Sequence, residues 1–377
     1  MRACPLKLNT MPLYPGSKIG VIGGGQLGRM LILECRRMDY LSVVIDTDLK
    51  GPAAQVADKI FYPDSVMDFV RECDVATYEF EHFDINIVKQ IEENVPVFPS
   101  SSVLEIKRNR ISEKRYLSEN GFPVPRFWIF DDISGVRQLA GTIDLMVKTS
   151  TGGYDGKGLY EIKKADDYEE IKGEVKGGII AEEFIYFAKE IAVICARDRK
   201  GNIVFYPVAE NVHKEGILLY TIAPAGISGK AEKRAKEIVS ELAHTLGLIG
   251  LLVVEMFLLE NDEALINEFA PRPHNSGHYT MDACDISQFE MLLRAICDLP
   301  LTAPELPCPV AMLNILGKGS SDMDIDNMLS LPGVKLHLYG KKEVREKRKM
   351  GHVNILGKTA WDVAEKLNYI KKIVYNA

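Results

Sequence analysis

Two glutamates on a predicted β-hairpin carry the clearest chemical signal in this sequence. The segment VVEMFLLENDEALINEFA contains two apolar strands around a two-residue Asn-Asp turn at 261–262. With that turn, Glu260 faces Glu263, and Glu255 lies directly opposite Glu268 on one face of the sheet. Facing carboxylates repel unless a divalent cation binds both, and oxygen ligands without a nearby Cys or His indicate Mg²⁺ or Mn²⁺. A register slip that turns one glutamate to solvent is the alternative.

The residues after this hairpin form a proline-rich segment, APRPHNSGH, at positions 270–278. His274 and His278 have the i, i+4 spacing of a zinc-binding helix. Because the prolines, serine and glycine oppose a helix and the motif glutamate is missing, we reject a zinc site. The prolines instead stiffen a loop that can hold Arg272 and His274 beside the carboxylate pair, where they suit an anionic reactant. A purely structural loop is the alternative.

A glycine-rich segment, TGGYDGKG, occupies positions 151–158. It is not a Walker P-loop, because Gly158 stands where a serine or threonine would hold Mg²⁺. The segment lies between two predicted strands, with Lys148 at the end of the first, and this arrangement predicts a flexible hairpin that folds over a phosphate chain. An ordinary mobile loop is the alternative.

The glycine run GGGQLG at 23–28 follows a predicted strand, opens a predicted helix and precedes Asp46 at the end of the next strand. This pattern is typical of dinucleotide binding and suggests, by itself, an NAD-dependent dehydrogenase. The physical argument is weaker, since backbone N–H groups at a helix N-terminus accept any phosphate or carboxylate edge. A tight turn without a ligand fits the pattern equally well.

Two further segments carry charged side chains that could meet a ligand. The run KKEVREKRK at 341–349 has six basic residues among nine and lies between two predicted strands, so it could contact a phosphate. A solvated turn is its alternative interpretation. The segment TYEFEH at 77–82 follows a parallel strand, where doubly wound sheets place ligand-contacting residues, although solvent-facing side chains fit there as well.

The apolar pattern predicts the elements that must position these segments. Up to about residue 105, buried strand patterns alternate with helical ones, which predicts a doubly wound parallel sheet. A linking helix over 109–120 and a small α+β unit up to 187 follow. Residues 190–312 are typical of a larger antiparallel α+β lobe, and the remainder indicates a small β-rich appendage.

Composition limits the classes of function. The chain has 377 residues, enough for two or three domains, of which 46% are hydrophobic and 26% charged, as in folded globular proteins. The formal charge of −7 argues against nucleic acid or an anionic membrane as partner and favours small molecules. Seven scattered cysteines indicate a reducing cytosol, and the first residues lack the apolar run of a secretory signal.

Seven motifs, in one order across nearly the whole chain, resemble an enzyme family. They are GGGQLGRM, YEFEH, VKTSTGGYDGKG, EEFI, AENVHKEG, NEFAPRPHNSGHYT and RKMGHV. Together they resemble the ATP-grasp 5-(carboxyamino)imidazole ribonucleotide synthetases of purine biosynthesis. The resemblance implies a cytoplasmic homodimer that carboxylates the amino group of 5-aminoimidazole ribonucleotide with ATP and bicarbonate, by way of carboxyphosphate. Another ATP-grasp carboxylase or ligase with a different acceptor is the alternative within this fold.

The same resemblance implies an ATP-grasp fold of mixed α/β and α+β class. The Rossmann-like N-terminal domain would span 16–109 and the small lid domain 110–187. The large lobe with the Mg²⁺ and ATP site would span 188–312, and the β-rich C-terminal appendage 313–377.

The resemblance also implies roles for individual residues. The positions similar to the family's ATP-binding residues are Arg110, Lys148, Gly153, Tyr154, Asp155, Gly156, Lys157, Gly158, Leu159, Glu182, Glu183, Phe184, Ile185, Glu190, His213, Asn267 and Glu268. Those similar to its substrate-binding residues are Gly25, Gln26, Leu27, Glu81, Arg272, His274, Asn275, Lys341 and Arg348. The positions that surround the reacting carboxyphosphate are Tyr154, Asp155, Arg272 and His274. Glu255 and Glu268 are similar to the family's Mg²⁺ ligands, in agreement with the predicted register.

Two positions depart from the family pattern. This chain has Arg108-Asn109-Arg110 where the family often has Gln-Asp-Arg. Leu159 stands where the family commonly has glutamine, so a backbone contact there would survive the change and a side-chain contact would not.

Overall fold

The first apolar runs of the chain form a four-stranded parallel sheet. The computed structural model describes residues 11–151, 158–175 and 177–375. The strands are β1 (Lys18–Ile22), β2 (Leu41–Ile45), β3 (Lys59–Phe61) and β4 (Val75–Tyr78), in the order β3-β2-β1-β4. The helices of this domain are α1 (Gln26–Arg37), α2 (Val66–Arg71), α3 (Ile85–Glu92) and α4 (Ser101–Lys107). The predicted parallel sheet is therefore confirmed, and the carboxyl ends of β1 and β4 meet at one edge, where such sheets bind ligands.

Helix α5 (Arg110–Glu119) links this domain to the next. Asn109 caps the helix, because its side-chain oxygen accepts hydrogen bonds from the N–H groups of Ile111 and Ser112 at 2.8 and 3.2 Å. The N–H of Arg110 donates to the carbonyl of Ser150 at 3.0 Å. The cap thus fixes Arg110 at the start of the helix, against the next domain.

The small domain contains a four-stranded antiparallel sheet. Its strands are β5 (Phe127–Phe130), β6 (Leu145–Thr149), β7 (Leu159–Ile162) and β8 (Ile179–Glu183), in the order β5-β8-β6-β7, with helix α6 (Ala165–Ile171) packed on it. Lys148 pairs with Leu159, so β6 and β7 form the predicted hairpin. The part of its glycine-rich loop at 152–157 lies outside the described residues.

The rest of the described chain builds one antiparallel sheet of nine strands. These are β9 (Lys189–Arg197), β10 (Ile203–Phe205), β11 (Ala209–Lys214), β12 (Ile217–Ala223), β13 (Gly250–Leu258), β14 (Ala264–Ala270), β15 (Val310–Leu316), β16 (Val334–Leu338) and β17 (Lys349–Leu356). The order is β14-β13-β9-β11-β12-β15-β17-β16, with β10 on β9. The helices are α7 (Gly229–Thr245), α8 (Thr280–Ala283), α9 (Gln288–Ile296), α10 (Ile325–Leu329) and α11 (Ala360–Tyr375). Short 3₁₀ helices occupy Pro63–Ser65, Ile133–Gln138, Asn275–Gly277 and Ser320–Asp322.

The C-terminal segment is joined to the large lobe by backbone hydrogen bonds between paired strands. Strand β15 pairs with β12 on one side and with β17 on the other, so the last strands extend the same sheet. Helix α11 buries Val363, Leu367, Ile370 and Val374 against this extension. The segment is β-rich as predicted, but it shares the sheet and the hydrophobic packing of the lobe before it.

The β13–β14 hairpin contains two irregularities that compensate for each other. The turn has three residues, 260–262, since the N–H of Leu259 donates to the carbonyl of Glu263 at 2.8 Å. The predicted two-residue turn is therefore wrong, and the register shifts by one residue. A β-bulge at Asn267 shifts it back, so Glu255 lies opposite Glu268 as predicted.

No helix in the described part of the chain has both the length and the apolarity needed to cross a membrane.

Candidate active site

A cleft of about 520 Å³ lies where the three sheets meet. Its walls come from the glycine turn after β1, the end of β4, the segment between α4 and α5, the base of the β6–β7 hairpin, strands β13 and β14, and the β16–β17 hairpin. Most of the segments singled out by sequence therefore converge on one opening. Residues in or next to strands of all three sheets line it.

Glu255 and Glu268 face each other in this cleft but have opposite electrostatic surroundings. Glu255 is buried, and its Oε1 accepts a 2.8 Å hydrogen bond from Asn211. Burial raises the pKa of Glu255 to about 7, against the opposing charge of His213. The Lys107 ammonium, in contrast, holds the pKa of Glu268 well below its usual range. Two facing carboxylates of this kind ionise together when a cation offsets their charge, so the pair fits a divalent cation.

Lys107 supplies the positive charge beside Glu268. Its Nζ lies 2.9 Å from Oε2 of Glu268 and 3.0 Å from Oε2 of Glu113. The backbone N–H of Phe269 donates a 2.8 Å hydrogen bond to the other oxygen of Glu113. Burial opposes the charged form of Lys107, but the two carboxylates outweigh it and raise the pKa of this lysine.

A second group of buried charges connects the small domain to the large lobe. Nζ of Lys148 donates to Glu182 and to the side-chain oxygen of Asn267, both at 3.0 Å. Nζ of Lys114 lies 3.2 Å from the other oxygen of Glu182 and donates to the carbonyl of Asn267 at 3.0 Å. Burial alone would raise the pKa of Glu182, but the two lysines lower it. The bulge at Asn267 therefore presents this residue to both lysines.

Glu190, His213 and Glu255 form a compact cluster at one wall of the cleft. Nδ1 of His213 lies 2.8 Å from Oε2 of Glu190, and one ligand atom of each residue lies within 4.8 Å of the others. Burial lowers the pKa of His213, but the two carboxylates outweigh it and raise the pKa. The cluster can accept hydrogen bonds from hydroxyl groups or contribute oxygen and nitrogen ligands to a cation.

Arg272 and His274 line the cleft beside the carboxylate pair. Nη2 of Arg272 lies 2.6 Å from Glu81 Oε1, and both side chains are largely buried. Nδ1 of His274 lies 2.8 Å from Oγ of Ser276 and 3.7 Å from Oε1 of Glu255. Burial, aided by the charge of Arg272, holds the pKa of His274 well below its usual range. The ring is therefore neutral near pH 7, and Arg272 carries the cationic charge.

The N–H groups of the glycine turn after β1 donate hydrogen bonds to carboxylates of the protein itself. Gly25 and Gly28 donate to the two oxygens of Glu79 at 2.7 and 3.1 Å. The N–H of Gly24 donates to Oδ2 of Asp46 at 2.5 Å. Since these carboxylates occupy the donors that a pyrophosphate would need, the turn does not support the dehydrogenase alternative.

Basic residues of the β16–β17 hairpin close one end of the cleft. Nζ of Lys341 donates to the carbonyl of Lys349 at 2.6 Å and lies 5.6 Å from the ring centre of Tyr339. Nη1 of Arg348 donates to the carbonyl of Glu343 at 2.8 Å. Lys341, Arg348 and Lys349 line the cleft. They bring positive charge to the opening from a part of the chain far from the other site residues in sequence.

The cleft brings together most of the residues predicted from sequence. Those that line it are Gly25, Gln26, Leu27, Glu81, Arg110, Leu159, His213, Glu255, Glu268, Arg272, His274, Asn275, Lys341 and Arg348. Three others contact this lining or lie next to it in the chain. Lys148 pairs with Leu159, Glu190 contacts His213, and Asn267 precedes Glu268. The predicted residues Gly153, Tyr154, Asp155, Gly156 and Lys157 lie outside the described residues.

Other predicted residues lie beside the described lining of the cleft rather than in it. Glu182 is buried between its two lysines, and Glu183 pairs with Arg126 at 3.2 Å. Nζ of Lys163 lies 4.5 Å from the ring centre of Phe184. Ile185 follows that ring in the chain, and Gly158 closes the described end of the β6–β7 hairpin.

Sequence reasoning missed several polar residues of the site. They are Lys107, Glu113, Lys114 and Asn211. Glu79 lies in the predicted segment 77–82, but its hydrogen bonds with the glycine turn were not predicted. Arg110 and Lys114 have i, i+4 spacing on α5, which places them on one helix face and could have indicated Lys114. The pairing of Lys107 with Glu268 spans 161 residues and has no local signal.

Three family matches cover successive stretches of the chain. A ribonucleotide synthetase preATP-grasp domain matches residues 17–108, and an ATP-grasp domain matches 115–289. A phosphoribosylaminoimidazole carboxylase C-terminal domain matches 310–366. The fold and its cleft define an ATP-grasp enzyme, as the motifs predicted.

Similar proteins narrow this class to one family. An N5-carboxyaminoimidazole ribonucleotide synthase of Aquifex aeolicus is 41% identical, over 93% of this chain and 95% of its own. A crystal structure of an N5-carboxyaminoimidazole ribonucleotide synthetase with ADP is 39% identical, with a TM-score of 0.91 over 96% of this chain and 98% of its own. An Aspergillus clavatus enzyme in complex with ADP and 5-aminoimidazole ribonucleotide is 30% identical, with a TM-score of 0.87 over 97% and 100%. The chain belongs to the N5-carboxyaminoimidazole ribonucleotide synthase family, and it is an ADP-forming ligase.

Proposed function

We propose that this protein carboxylates the amino group of 5-aminoimidazole ribonucleotide in purine biosynthesis. Bicarbonate attacks the γ-phosphate of ATP, which gives carboxyphosphate and ADP. The amine then attacks the carboxyphosphate carbon, phosphate leaves, and N5-carboxyaminoimidazole ribonucleotide forms. The observation that carries this proposal is one cleft that joins a carboxylate pair, a buried arginine and a basic hairpin.

ATP is proposed to bind between the small domain and the large lobe. Lys148 and Arg110 are suited to the phosphates, and Glu190 and His213 to the hydroxyl groups of the sugar. The strand end at 182–185 is the proposed neighbour of adenine. The glycine-rich loop, with Lys157, would cover the phosphates, and the contacts of Lys148 with Glu182 and Asn267 support a site held rigidly before the nucleotide enters.

Glu255 and Glu268 are the proposed ligands of Mg²⁺ or Mn²⁺. A cation there would offset the charge between the γ-phosphate and bicarbonate. The raised pKa of Glu255, caused by burial, supports this role, because the pair gains its second negative charge most easily with a cation present.

Arg272 is proposed to hold the carboxyphosphate anion. Its ion pair with Glu81 fixes the guanidinium in the cleft wall. The charge stays on Arg272 because Glu81 raises its pKa against the opposing effect of burial. His274, whose ring is neutral, is proposed to orient the reactants beside it. Tyr154 and Asp155 complete this group in the proposal.

The ribonucleotide is proposed to lie between the glycine turn and the basic hairpin. Lys341 and Arg348 are suited to its phosphate, which bears two negative charges near neutral pH. Gly25 to Leu27 and Asn275 are proposed to line the ribose and imidazole. Asn275 is held by a pair of hydrogen bonds with Asn314, at 2.9 and 2.6 Å, which supports a fixed position.

The proposal extends to the setting of the enzyme. We propose a homodimer in the cytoplasm, and the free thiols of all cysteines in the described residues support a reducing compartment. We also propose the domain division 16–109, 110–187, 188–312 and 313–377, with the last two segments sharing a sheet. Light scattering tests the dimer directly.

The defining experiment is an assay of ADP release. Full rate should require both bicarbonate and 5-aminoimidazole ribonucleotide, with a carboxylated ribonucleotide as product. ADP release that needs another acceptor would favour a different ATP-grasp ligase. Oxidation of NADH by the protein would favour the dehydrogenase.

The metal assignment has its own test. Glu268→Gln removes one carboxylate without changing the shape of the side chain and should lower kcat at least a hundredfold under saturating Mg²⁺. Glu263→Gln, at an exposed position of the same hairpin, is the matched control and should keep full activity. Wild-type turnover in Glu268→Gln would overturn the assignment.

A further inference from the structure

Lys107 and Glu113 form a buried ion pair at the wall of the cleft, and the proposed reaction gives neither of them a role. Lys107 is the last residue of α4 and Glu113 lies on α5. Their side chains are 11% and 3% exposed, and Nζ of Lys107 reaches both oxygens of Glu113 at 3.0 and 3.1 Å. A pair so deeply buried is costly to retain unless it is fully satisfied or serves a purpose.

The ammonium of Lys107 also occupies one oxygen of a proposed metal ligand. It donates to Oε2 of Glu268 at 2.9 Å, while 46% of the Glu268 side chain is exposed to the cleft. Lys107 therefore stands on the buried side of this carboxylate and leaves the other side open. A cation entering from the cleft would meet a carboxylate that already has a positive neighbour.

Contacts with Glu113, Glu268 and the ring of Phe269 hold Lys107 in this position. Its Nζ lies 5.7 Å from the ring centre of Phe269, and Glu113 is itself fixed by the N–H of Phe269. The ion pair is thus anchored to the strand that carries Glu268. When a divalent cation approaches Glu268, the ammonium stays within a few ångströms and repels it.

We propose that Lys107 is a resident counter-ion that makes divalent-cation binding at Glu255 and Glu268 depend on the nucleotide. Without nucleotide, Lys107 satisfies Glu268 and weakens the binding of a bare cation. Phosphate groups bring the negative charge that offsets both the ammonium and the cation. Lys107 is therefore a positioning residue. It weakens cation binding at the carboxylate pair until ATP binds. This inference rests on the metal role proposed above.

The test measures Mn²⁺ binding by electron paramagnetic resonance, without and with ADP. In the double variant Lys107→Met/Glu113→Gln, both charges are removed together, and the glutamine oxygen can still accept the hydrogen bond of Phe269. This variant should bind Mn²⁺ alone at least tenfold more tightly than the wild type. Lys107→Arg keeps the positive charge and should stay within threefold of the wild type.

A matched control removes another ion pair next to α4. Lys89→Met/Glu105→Gln deletes an exposed pair between α3 and α4, away from the cleft, and should leave Mn²⁺ binding unchanged. Circular dichroism and ADP binding without metal verify that each variant is folded.

The possible results separate this inference from the metal assignment. If Glu255→Gln binds Mn²⁺ with ADP as tightly as the wild type, the metal assignment itself fails. If Glu255→Gln loses Mn²⁺ but the double variant binds Mn²⁺ alone no more tightly than the wild type, the role of Lys107 is overturned. Tighter binding in the double variant, with the control and Lys107→Arg unchanged, supports it.

Discussion

The backbone N–H of Gly25 donates a 2.7 Å hydrogen bond to Oε1 of Glu79, at the carboxyl edge of the parallel sheet. The second oxygen of Glu79 accepts the N–H of Gly28 at 3.1 Å. One side chain therefore satisfies two donors of the glycine turn from within the protein. The turn that resembles a dinucleotide site is closed to a pyrophosphate and held in a fixed shape beside the cleft.

Glu79→Ala should destabilise the N-terminal domain. The variant leaves two N–H groups of the turn without their acceptor, which costs about 2 kcal/mol or more in the free energy of unfolding. Urea denaturation measures the loss. Glu79→Gln keeps one acceptor oxygen and should lose less than half as much, so equal losses in the two variants would contradict this account.

Variants of the second buried group should separate an effect on the stability of the fold from an effect on ATP binding. Lys114 and Glu182 are each 3% exposed. Lys114→Met leaves Lys148 as the counter-charge of Glu182, but it removes the donor to the other oxygen of Glu182 and to the carbonyl of Asn267. A buried acceptor left without its donor costs about 1–3 kcal/mol. We expect a loss of that order in the free energy of unfolding, measured by urea denaturation.

The double variant Lys114→Met/Glu182→Gln is the control for that measurement. It also takes the carboxylate from Lys148, so it should be less stable than Lys114→Met. Because Lys148 then has no carboxylate partner, the KM for ATP should rise while the fold is retained. An undisturbed KM would show that the Lys148–Glu182 contact has no part in nucleotide binding.

The basic hairpin should affect one substrate and leave the other unchanged. If Lys341 and Arg348 contact the ribonucleotide phosphate, Lys341→Ala and Arg348→Ala should each raise the KM for 5-aminoimidazole ribonucleotide at least tenfold. The KM for ATP should change less than twofold. Steady-state kinetics with each substrate varied in turn gives both values.

Arg345→Ala is the matched control in the same run. Its side chain is 66% exposed and pairs with Glu343, and it does not belong to the described lining of the cleft. Both KM values should stay at the wild-type level. If Lys341→Ala and Arg348→Ala also leave both KM values unchanged, the run is a solvated turn, which is the alternative left open by the sequence.

The carboxylate pair shows how far sequence reasoning reaches and where it stops. Period-two alternation fixes which residues share a face, so the position of Glu255 opposite Glu268 could be predicted. The predicted two-residue turn was wrong, because the turn has three residues. The bulge at Asn267 restores the register, and its contacts with Lys114 and Lys148 are long-range and have no local signal. The prediction of the pair was right because two deviations of one residue cancel.

Burial and long-range pairing also limit what could be predicted from the sequence. Lys107 and Glu79 show no periodic or motif signal for their partners, which are 161 and 54 residues away. The C-terminal strands could be predicted as strands, but not their place in the large sheet, because edge pairing is decided by tertiary contacts. The ordered motifs predicted the fold through resemblance. The partners of the buried charged residues are known only from the structure.

Buried His352, which contacts two other histidines, should make the protein sensitive to acid. The ring of His352 lies 4.5 Å from His337, nearly parallel, and 4.8 Å from His278, while Nδ1 is 2.8 Å from the hydroxyl of Tyr339. Burial, followed by the charges of the other two histidines, holds the pKa of His352 well below its usual range. In the folded state this ring is therefore neutral where the unfolded chain is already protonated.

The sign of the pH dependence follows from that difference. Below pH about 6.5 the unfolded state binds a proton that the folded state does not, so the stability from neutral His352 falls with pH by about 1.4 kcal/mol per unit. Buried carboxyl groups with raised pKa oppose this trend, which makes the difference between two variants the useful measurement. His352→Gln can still bond Tyr339 and lacks the titration, so its free energy of unfolding should fall less steeply than that of the wild type between pH 6.5 and 5.5. Urea denaturation across this range measures both slopes, and equal slopes would show that His352 is protonated in the folded state.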